Sequence, residues 1–157
     1  MAPPDIKKTK AFAEKLHRGQ TDKSGAPYIG HVLRVHQNLL QLFPDANSDE
    51  QRAALLHDVI EDCNVSADDL RSAGFSERTI AIVEAVTKDA DDGLTYAARL
   101  ERLAASGDIS AMRVKIADLT DNSDPARLAA LPPEKALSLG KRYGQALEIL
   151  RAALSLA

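Results

Sequence analysis

The chain has a single cysteine, Cys63, among its 157 residues, so no disulfide can form within it. The segment Met1–Asp5 lacks the charged-then-apolar layout of a secretion signal. No apolar run approaches the ~18 residues that a membrane-spanning helix needs. We therefore expect a cytoplasmic protein in a reducing compartment, with no membrane partner.

Aromatic residues make up only 4% of the chain, and tryptophan is absent. A core must therefore be built from Leu, Ile, Val and Ala. The formal net charge is −3, with Lys and Arg spread along the sequence, so the basic patch of a nucleic-acid-binding protein is missing. The composition favours a small-molecule ligand, held by a few local cations, over a nucleic acid.

No stretch of alternating apolar and polar residues is long enough to indicate a strand, and apolar residues recur at helical spacing instead. We predict one domain over residues 1–157 with an all-α fold of roughly eight to ten helices. The predicted helices span 5–19, 30–42, 48–62, 66–72, 76–87, 93–106, 108–121, 124–130 and 134–155.

The run His57-Asp58-Val59-Ile60-Glu61-Asp62 follows an apolar stretch that ends at Leu55-Leu56. If one helix continues through the run, residues four apart share a face, with Glu61 one turn after His57 and Asp62 one turn after Asp58. Burying so many ionisable groups is costly unless they are paired or bind a cation. The run therefore predicts a metal centre with acid–base carboxylates beside it.

Three further segments could complete this site. A loop rich in Gly, Ser and Pro carries Lys23 and leads into a helix that begins near His31, and such loops can present backbone N–H groups to anions. Asp118 lies on a largely apolar helix face, and Asn122 follows one turn later. Tyr143 lies beside two cations on a late helix.

Two imidazoles and two carboxylates would form the ligand set, namely His31, His57, Asp58 and Asp118. Mixed nitrogen and oxygen ligation suits Mn²⁺, Fe²⁺, Zn²⁺ or Co²⁺, and the absence of thiolate argues against a structural zinc site. A bound metal lowers the pKa of water and polarises a phosphoryl group, and Glu61 and Asp62 could orient or deprotonate that water. The residue chemistry predicts a metal-dependent phosphohydrolase.

Three motifs carry a resemblance to a known family. They read Lys-Ser-Gly-Ala-Pro-Tyr-Ile-Gly-His at 23–31, Ala-Leu-Leu-His-Asp-Val-Ile-Glu-Asp at 54–62 and Lys-Ile-Ala-Asp-Leu-Thr-Asp-Asn at 115–122. In this order they resemble the hydrolase domain of the RelA/SpoT family, within the HD-domain superfamily of metal-dependent phosphohydrolases. The resemblance runs from about residue 8 to the end of the sequence. Within the family, the chain resembles the small, stand-alone alarmone hydrolases.

The resemblance implies an all-α HD-domain fold, a Mn²⁺ site and hydrolysis of the 3′-pyrophosphate of (p)ppGpp or (p)ppApp, which would lower the level of an alarmone of the stringent response. His31, His57, Asp58 and Asp118 match the family's metal ligands, and Glu61 and Asp62 match its water-activating pair. The positions that match nucleotide contacts are Lys23, Ser24, Asn122 and Tyr143, with Lys115 at the basic position of the third motif.

The chain departs from the family pattern at two positions. Asp22 stands where an Arg usually packs against the base, and Asp121 stands where a His commonly precedes the Asn of the third motif. An acidic residue at position 22 should change base recognition or weaken binding. Two alternatives therefore stay open. One is an HD-type nucleotidase or phosphodiesterase that acts on another phosphorylated nucleotide, and the other is a non-catalytic nucleotide sensor.

Overall fold

The computed structural model describes residues 2–156, and within that range the chain forms ten helices and a single isolated β-bridge, between Thr21 and Pro27. The helices are α1 (Ile6–Leu16), α2 (Tyr28–Leu42), α3 (Ser48–Leu56), α4 (Val59–Asp62), α5 (Ala67–Ser72), α6 (Glu77–Val86), α7 (Tyr96–Ala105), α8 (Ile109–Asn122), α9 (Pro125–Ala129) and α10 (Pro133–Ser155). The all-α prediction is confirmed. None of the helices within 2–156 has the length and apolar character to cross a bilayer.

The prediction of one helix over 48–62 was wrong. α3 ends at Leu56, and α4 begins at Val59 after a break in which Asp58 has φ −107° and ψ 0°. The imidazole Nδ1 of His57 donates to the carbonyl oxygen of Ala54 at 2.7 Å. A continuing α-helix would use that carbonyl for the N–H of Asp58, so the His57 side chain takes the place of a helical hydrogen bond at the break.

Side-chain caps define where several of the helices begin. Asn47 accepts a hydrogen bond from the Glu50 N–H and caps α3. Ser66 and Asp69 form a capping box at the start of α5. Each such cap satisfies N–H groups that have no partner within the helix.

Helices α2, α3 and α8 contact one another and form the centre of the fold, with α6 packed on α3 and α10 packed on α7 and α8. The core between them is aliphatic, as predicted, and Phe75 is the one aromatic residue among its buried members in residues 2–156. The largest fully buried apolar side chains are Leu39, Leu55, Leu56, Leu70, Ile80, Ile82, Met112, Ile116, Leu119 and Leu150. The three central helices are therefore held by close packing on several sides, which suits them to carry a site.

Leu39→Ala is expected to lower the free energy of unfolding by about 2–5 kcal/mol, because it removes buried methyl groups and leaves a cavity between the central helices. Leu40→Ala is the matched control, since Leu40 is the next residue of α2 and 38% exposed, and its expected cost is about 0.5 kcal/mol. Urea unfolding of the two variants measures both values. Equal losses would contradict the placement of α2 in the core.

Candidate functional site

The two imidazoles and two carboxylates predicted as metal ligands meet where α2, the α3–α4 break and α8 come together. His31 on α2 places Nε2 3.0 Å from Oδ1 of Asp118 on α8 and 3.8 Å from Oδ2 of Asp58. His57 places Nε2 2.9 Å from the same Asp58 oxygen and 3.3 Å from the same Asp118 oxygen. Both histidines and Asp118 are buried. Residues far apart in sequence thus direct four potential ligand atoms at one point.

The far side of each imidazole is occupied by an acceptor. Nδ1 of His31 donates to Oδ2 of Asp121 at 2.7 Å, and Nδ1 of His57 donates to the Ala54 carbonyl. A donor hydrogen on Nδ1 leaves Nε2 with its lone pair directed at the carboxylates. This is the arrangement of metal-binding histidines, in which the second nitrogen is held by a carboxylate or a backbone carbonyl.

The donor set fits a divalent cation. Nε2 of His57 is a buried polar atom without a hydrogen-bond partner anywhere in residues 2–156, although two carboxylate oxygens lie close to it. Burial opposes protonation of this imidazole, but Asp58 and Asp118 raise its pKa well above the usual value. The site therefore attracts positive charge strongly, and either a proton or a metal ion can supply it. His31, His57 and Asp118 offer ligand atoms within 4.8 Å of one another, and Asp58, Glu61 and Asp62 form a second such group.

Two residues that the sequence assigned to the substrate also hold Asp118, the carboxylate predicted as a metal ligand on α8. Lys115 Nζ lies 3.0 Å from Oδ2, and Asn122 Nδ2 donates to Oδ1 at 3.2 Å. Burial raises the cost of ionising Asp118, yet Lys115 and the two histidines hold its pKa well below the usual value. Asp118 therefore stays ionised and fixed in orientation.

Asp58 is oriented by Tyr28, whose hydroxyl donates to Oδ2 of the carboxylate. Burial and the negative charge of Asp58 raise the pKa of Tyr28, so the phenol stays protonated and remains a donor. Tyr28 belongs to the first of the three sequence motifs. Its position three residues before His31, at the start of α2, is the signal that could have placed it beside the predicted ligands.

Glu61 and Asp62, the predicted catalytic pair, are both exposed on the wall beside Asp58. Oε1 of Glu61 accepts a hydrogen bond from the backbone N–H of Lys88 at 2.8 Å. Partial desolvation in the site, together with the nearby charges of Asp58 and Glu61, raises the pKa of Asp62 to about 6. Asp62 is thus a carboxylate that can take up a proton near neutral pH.

A cavity of about 320 Å³ opens over the predicted metal ligands. All five residues predicted to contact a nucleotide line it, namely Lys23, Ser24, Lys115, Asn122 and Tyr143. Asp58, Glu61, Asp62 and Asp118 line it as well, while His31 and His57 lie behind these carboxylates and are not part of the wall. Leu128, Leu131 and Leu139 add an apolar side. Such a cavity can hold a molecule with an apolar ring system and a charged end.

Asp22 organises the loop at the cavity mouth. Its Oδ1 accepts hydrogen bonds from the Ser24 N–H, the Ser24 hydroxyl and the Ala26 N–H at 2.9, 2.7 and 3.0 Å. Burial opposes ionisation, but these bonds lower the pKa of Asp22. The side chain is 5% exposed. Asp22 therefore stabilises the conformation that presents Lys23, and the hydroxyl of predicted contact Ser24 is already used inside the loop.

Asp121 differs from the family pattern, and the sequence analysis gave no role to Arg34 or Arg127. In the structure Asp121 bonds to His31 and to both arginines. Asp121, 4% exposed, accepts from Nδ1 of His31, from Nε of Arg34 at 2.7 Å and from Nη1 of Arg127 at 2.8 Å. Burial opposes ionisation of Asp121, while His31 and Arg34 lower its pKa to about 2. Its place three residues after Asp118 was the available signal, because i and i+3 share a helix face. Nothing local in the sequence marks Arg127.

Comparison with known proteins gives a consistent set of relatives. The family model described as HD domain matches residues 10–137. A guanosine-3′,5′-bis(diphosphate) 3′-pyrophosphohydrolase of Vibrio cholerae is 37% identical over 139 residues, which cover 83% of this chain and 19% of that protein. The bifunctional (p)ppGpp synthase/hydrolase SpoT of Escherichia coli is 34% identical over 130 residues, covering 78% of this chain and 18% of that protein. The chain thus spans about a fifth of the length of these curated relatives.

A solved structure matches over nearly the whole chain. It is the structure of a protein described as a metazoan ortholog of SpoT that hydrolyzes ppGpp and plays a role in starvation responses. The TM-score is 0.82 at 25% sequence identity, and the match covers 98% of this chain and 90% of that one. The similarity extends further into α10 than the family-model match, which ends at residue 137.

Saturating Mn²⁺ is expected to raise the Tm of the metal-free protein by about 5–10 °C, since a ligand that binds only the folded state stabilises it. Asp118→Asn removes the charge of a predicted ligand and should abolish most of this shift. Asp45→Asn is the control, because Asp45 is 75% exposed and pairs with Arg113 away from the site. Thermal unfolding followed by circular dichroism measures the shifts, and a full shift in Asp118→Asn would contradict the ligand assignment.

Asp62→Asn is expected to raise the Tm of the metal-free protein at pH 7.5 by about 2–4 °C, a value that allows for solvent screening at this exposed carboxylate. The pKa of Asp62 is higher in the folded protein than the usual 3.8, so its ionisation destabilises the fold as pH rises from about 4 to about 6. The gain should therefore vanish below pH 4. Asp91→Asn, on an exposed loop, controls for the loss of one charge. A gain independent of pH would rule out this explanation.

Proposed function

The chain belongs to the HD-domain family, and we propose that it is a metal-dependent hydrolase, folded as one domain, that removes the 3′-pyrophosphate of an alarmone nucleotide, (p)ppGpp or (p)ppApp. The observation that carries the proposal is the meeting of two imidazoles with two carboxylates that line a cavity large enough for part of a nucleotide. The names of the relatives, a 3′-pyrophosphohydrolase and a ppGpp-hydrolysing protein, support this substrate class.

In this proposal His31, His57, Asp58 and Asp118 hold one divalent cation, with Mn²⁺ as the proposed metal. Neutral imidazole and carboxylate ligands without thiolate are a set that suits Mn²⁺. The bound cation would supply Lewis acidity towards water and the phosphoryl group. The cavity wall carries five carboxylates (Asp22, Asp58, Glu61, Asp62, Asp118) and three cationic side chains (Lys23, Lys115, Arg127). Carboxylates outnumber cationic side chains in this wall, which by itself would repel an anionic substrate. A cation bound by the four ligands would therefore also reduce this repulsion.

Asp62 is proposed as the group that accepts the proton of the attacking water. Its pKa of about 6 leaves it mostly ionised, and so able to act as a base, at neutral pH. Glu61, held by the Lys88 N–H, is proposed to orient the water. Attack at the phosphorus next to the ribose would break its bond to the 3′ oxygen. The 3′ oxygen then leaves with a proton as a hydroxyl, and inorganic pyrophosphate is released.

The remaining cavity residues are proposed to position the substrate. Lys23 is presented by the loop that Asp22 stabilises, where its ammonium group can meet phosphate oxygens. Tyr143 and the neighbouring leucines offer a surface for the purine and sugar. Lys115 and Asn122 both hold Asp118, so their proposed role is to fix that carboxylate while bordering the substrate. Ser24 contributes mainly through its loop hydrogen bonds.

The small-molecule substrate is supported by the charge balance, with a net charge of −3 and local cations at the cavity. A cytoplasmic location belongs to the same proposal and rests on the expected reducing environment of Cys63, a free thiol in the structure.

The test is Mn²⁺-dependent release of pyrophosphate from ppGpp and from ppApp, with GTP and ATP as substrates that lack a 3′-pyrophosphate. We expect turnover of at least one alarmone and none of the controls. Asp62→Asn should lower kcat by about 10²–10⁴-fold, because it removes the proton acceptor. Asp58→Asn should abolish both Mn²⁺ binding and turnover, while Asp45→Asn should retain both.

Hydrolysis in ¹⁸O-labelled water checks the position of attack, since label should enter pyrophosphate and not the nucleoside product. Turnover of another phosphorylated nucleotide alone would identify a different HD-type nucleotidase or phosphodiesterase. Binding of alarmone by the metal-loaded protein without turnover of any nucleotide would identify a sensor. Either outcome would reject the proposed activity.

A further inference from the structure

Arg127 is the one arginine in residues 2–156 that lines the cavity over the predicted metal ligands. It comes from the short helix α9, after the last of the three sequence motifs. Its Nη1 donates to Asp121 Oδ2 at 2.8 Å and to Asn122 Oδ1 at 2.9 Å, and it lies 3.1 Å from Nδ1 of His31. One nitrogen of the guanidinium is therefore anchored directly behind the proposed metal site.

The other edge of the same guanidinium remains available. Nη2 is 3.7 Å from Oδ2 of Asp22, which exceeds hydrogen-bond distance. Nε donates to no acceptor within the described residues 2–156. The Arg127 side chain is 24% exposed, and Lys23 and Tyr143 line the same cavity. Nε and Nη2 form the side of an arginine that donates two parallel hydrogen bonds to a ligand.

Arg34 serves as a comparison, because its side chain bonds to Asp121 without reaching the cavity. It donates to Asp121 through Nε at 2.7 Å and through Nη2 at 3.3 Å. Its side chain is 44% exposed, yet it does not line the cavity. Asp121 thus already has two hydrogen bonds from Arg34 and one from His31. Arg127 uses only Nη1 on this carboxylate, and that leaves its second edge for another partner.

We infer that Arg127 is a substrate-contacting residue whose Nε and Nη2 donate to acceptor atoms of the bound nucleotide, while Nη1 stays on Asp121 and Asn122. The inference rests on the proposed function for the identity of the ligand. The acceptors are phosphate oxygens or, where the base is guanine, its O6 and N7, since both offer the paired lone pairs that this edge of arginine fits. Asp22, next to Nη2, keeps the guanidinium in place before the ligand binds.

Binding is measured by calorimetry with Mn²⁺-loaded Asp62→Asn protein, in which slow hydrolysis allows ppGpp and ppApp to be titrated. Adding Arg127→Ala should weaken binding of the preferred nucleotide by about 10–100-fold, the cost of losing hydrogen bonds to a charged or strongly accepting group. Arg127→Lys keeps the charge but loses the two-pronged edge, and it should recover only part of this loss.

Arg34→Ala is the matched control, because it also removes an arginine from Asp121 and so reports any effect transmitted through His31. Mn²⁺ affinity, titrated separately, should change to the same extent in the two alanine variants. Nucleotide affinity should fall at least about tenfold further in Arg127→Ala than in Arg34→Ala. Equal losses of nucleotide affinity in Arg127→Ala and Arg34→Ala would overturn the inference. Absence of measurable nucleotide binding to the Asp62→Asn protein with Arg127 intact would overturn it as well.

Titration with inorganic pyrophosphate distinguishes the reacting 3′-phosphates from the other acceptors, which are the 5′ phosphates and the base. If Arg127 contacts the reacting phosphates, Arg127→Ala weakens pyrophosphate as much as the whole nucleotide. If it contacts the base or the 5′ phosphates, pyrophosphate binding is unchanged and only the nucleotide is weakened. Wild-type turnover is assayed in parallel, so absence of hydrolysis would reject the proposed function while the comparison of the two arginines still decides the role of Arg127.

Discussion

Four potential ligand atoms that all carry lone pairs converge at the junction of α2, α3 and α8, and most of the surrounding structure serves to hold them there. The Ala54 carbonyl and Asp121 fix the two imidazoles. Lys115 holds Asp118, and Tyr28 holds Asp58. Because lone pairs repel one another in a buried site, the arrangement is favourable only when positive charge lies between them. Protons supply that charge in the absence of metal, and a divalent cation is the better match for four converging donors.

A site of this kind needs a rigid support, and the aliphatic core provides it. The central helices contribute fully buried leucine, isoleucine and valine side chains directly beside the predicted ligands, as with Leu56 before His57 and Leu119 after Asp118. Close-packed interiors resist displacement, so these side chains keep their positions even when the charges between them are unfavourable. Asp62 is another group whose charge is unfavourable in the fold, as its raised pKa shows. Its ionised form can accept a proton, but the same form destabilises the folded protein.

The two acidic departures from the family pattern have partners inside the protein. Asp22 closes the loop at the cavity mouth through three hydrogen bonds, and Asp121 holds His31 from behind. Both also lie beside Arg127, whose Nη1 is bound to Asp121 and whose Nη2 faces Asp22. The negative charge at each position is therefore balanced locally, and the cavity retains cationic side chains that can meet the proposed nucleotide.

The sequence by itself determined the helical class, most of the helices, the aliphatic core and the residues that converge at the candidate site, because these depend on local periodicity and on residue chemistry. It placed a single helix over 48–62, since apolar spacing cannot register a break made by the His57 side chain bonding to Ala54. Only the tertiary structure decided that Asp121 would hold His31, that Tyr28 would hold Asp58, and that Arg127 would reach the cavity. His31 and Arg127 are 96 positions apart, and such contacts follow from how α2, α8 and α9 pack, which no local pattern in the chain records.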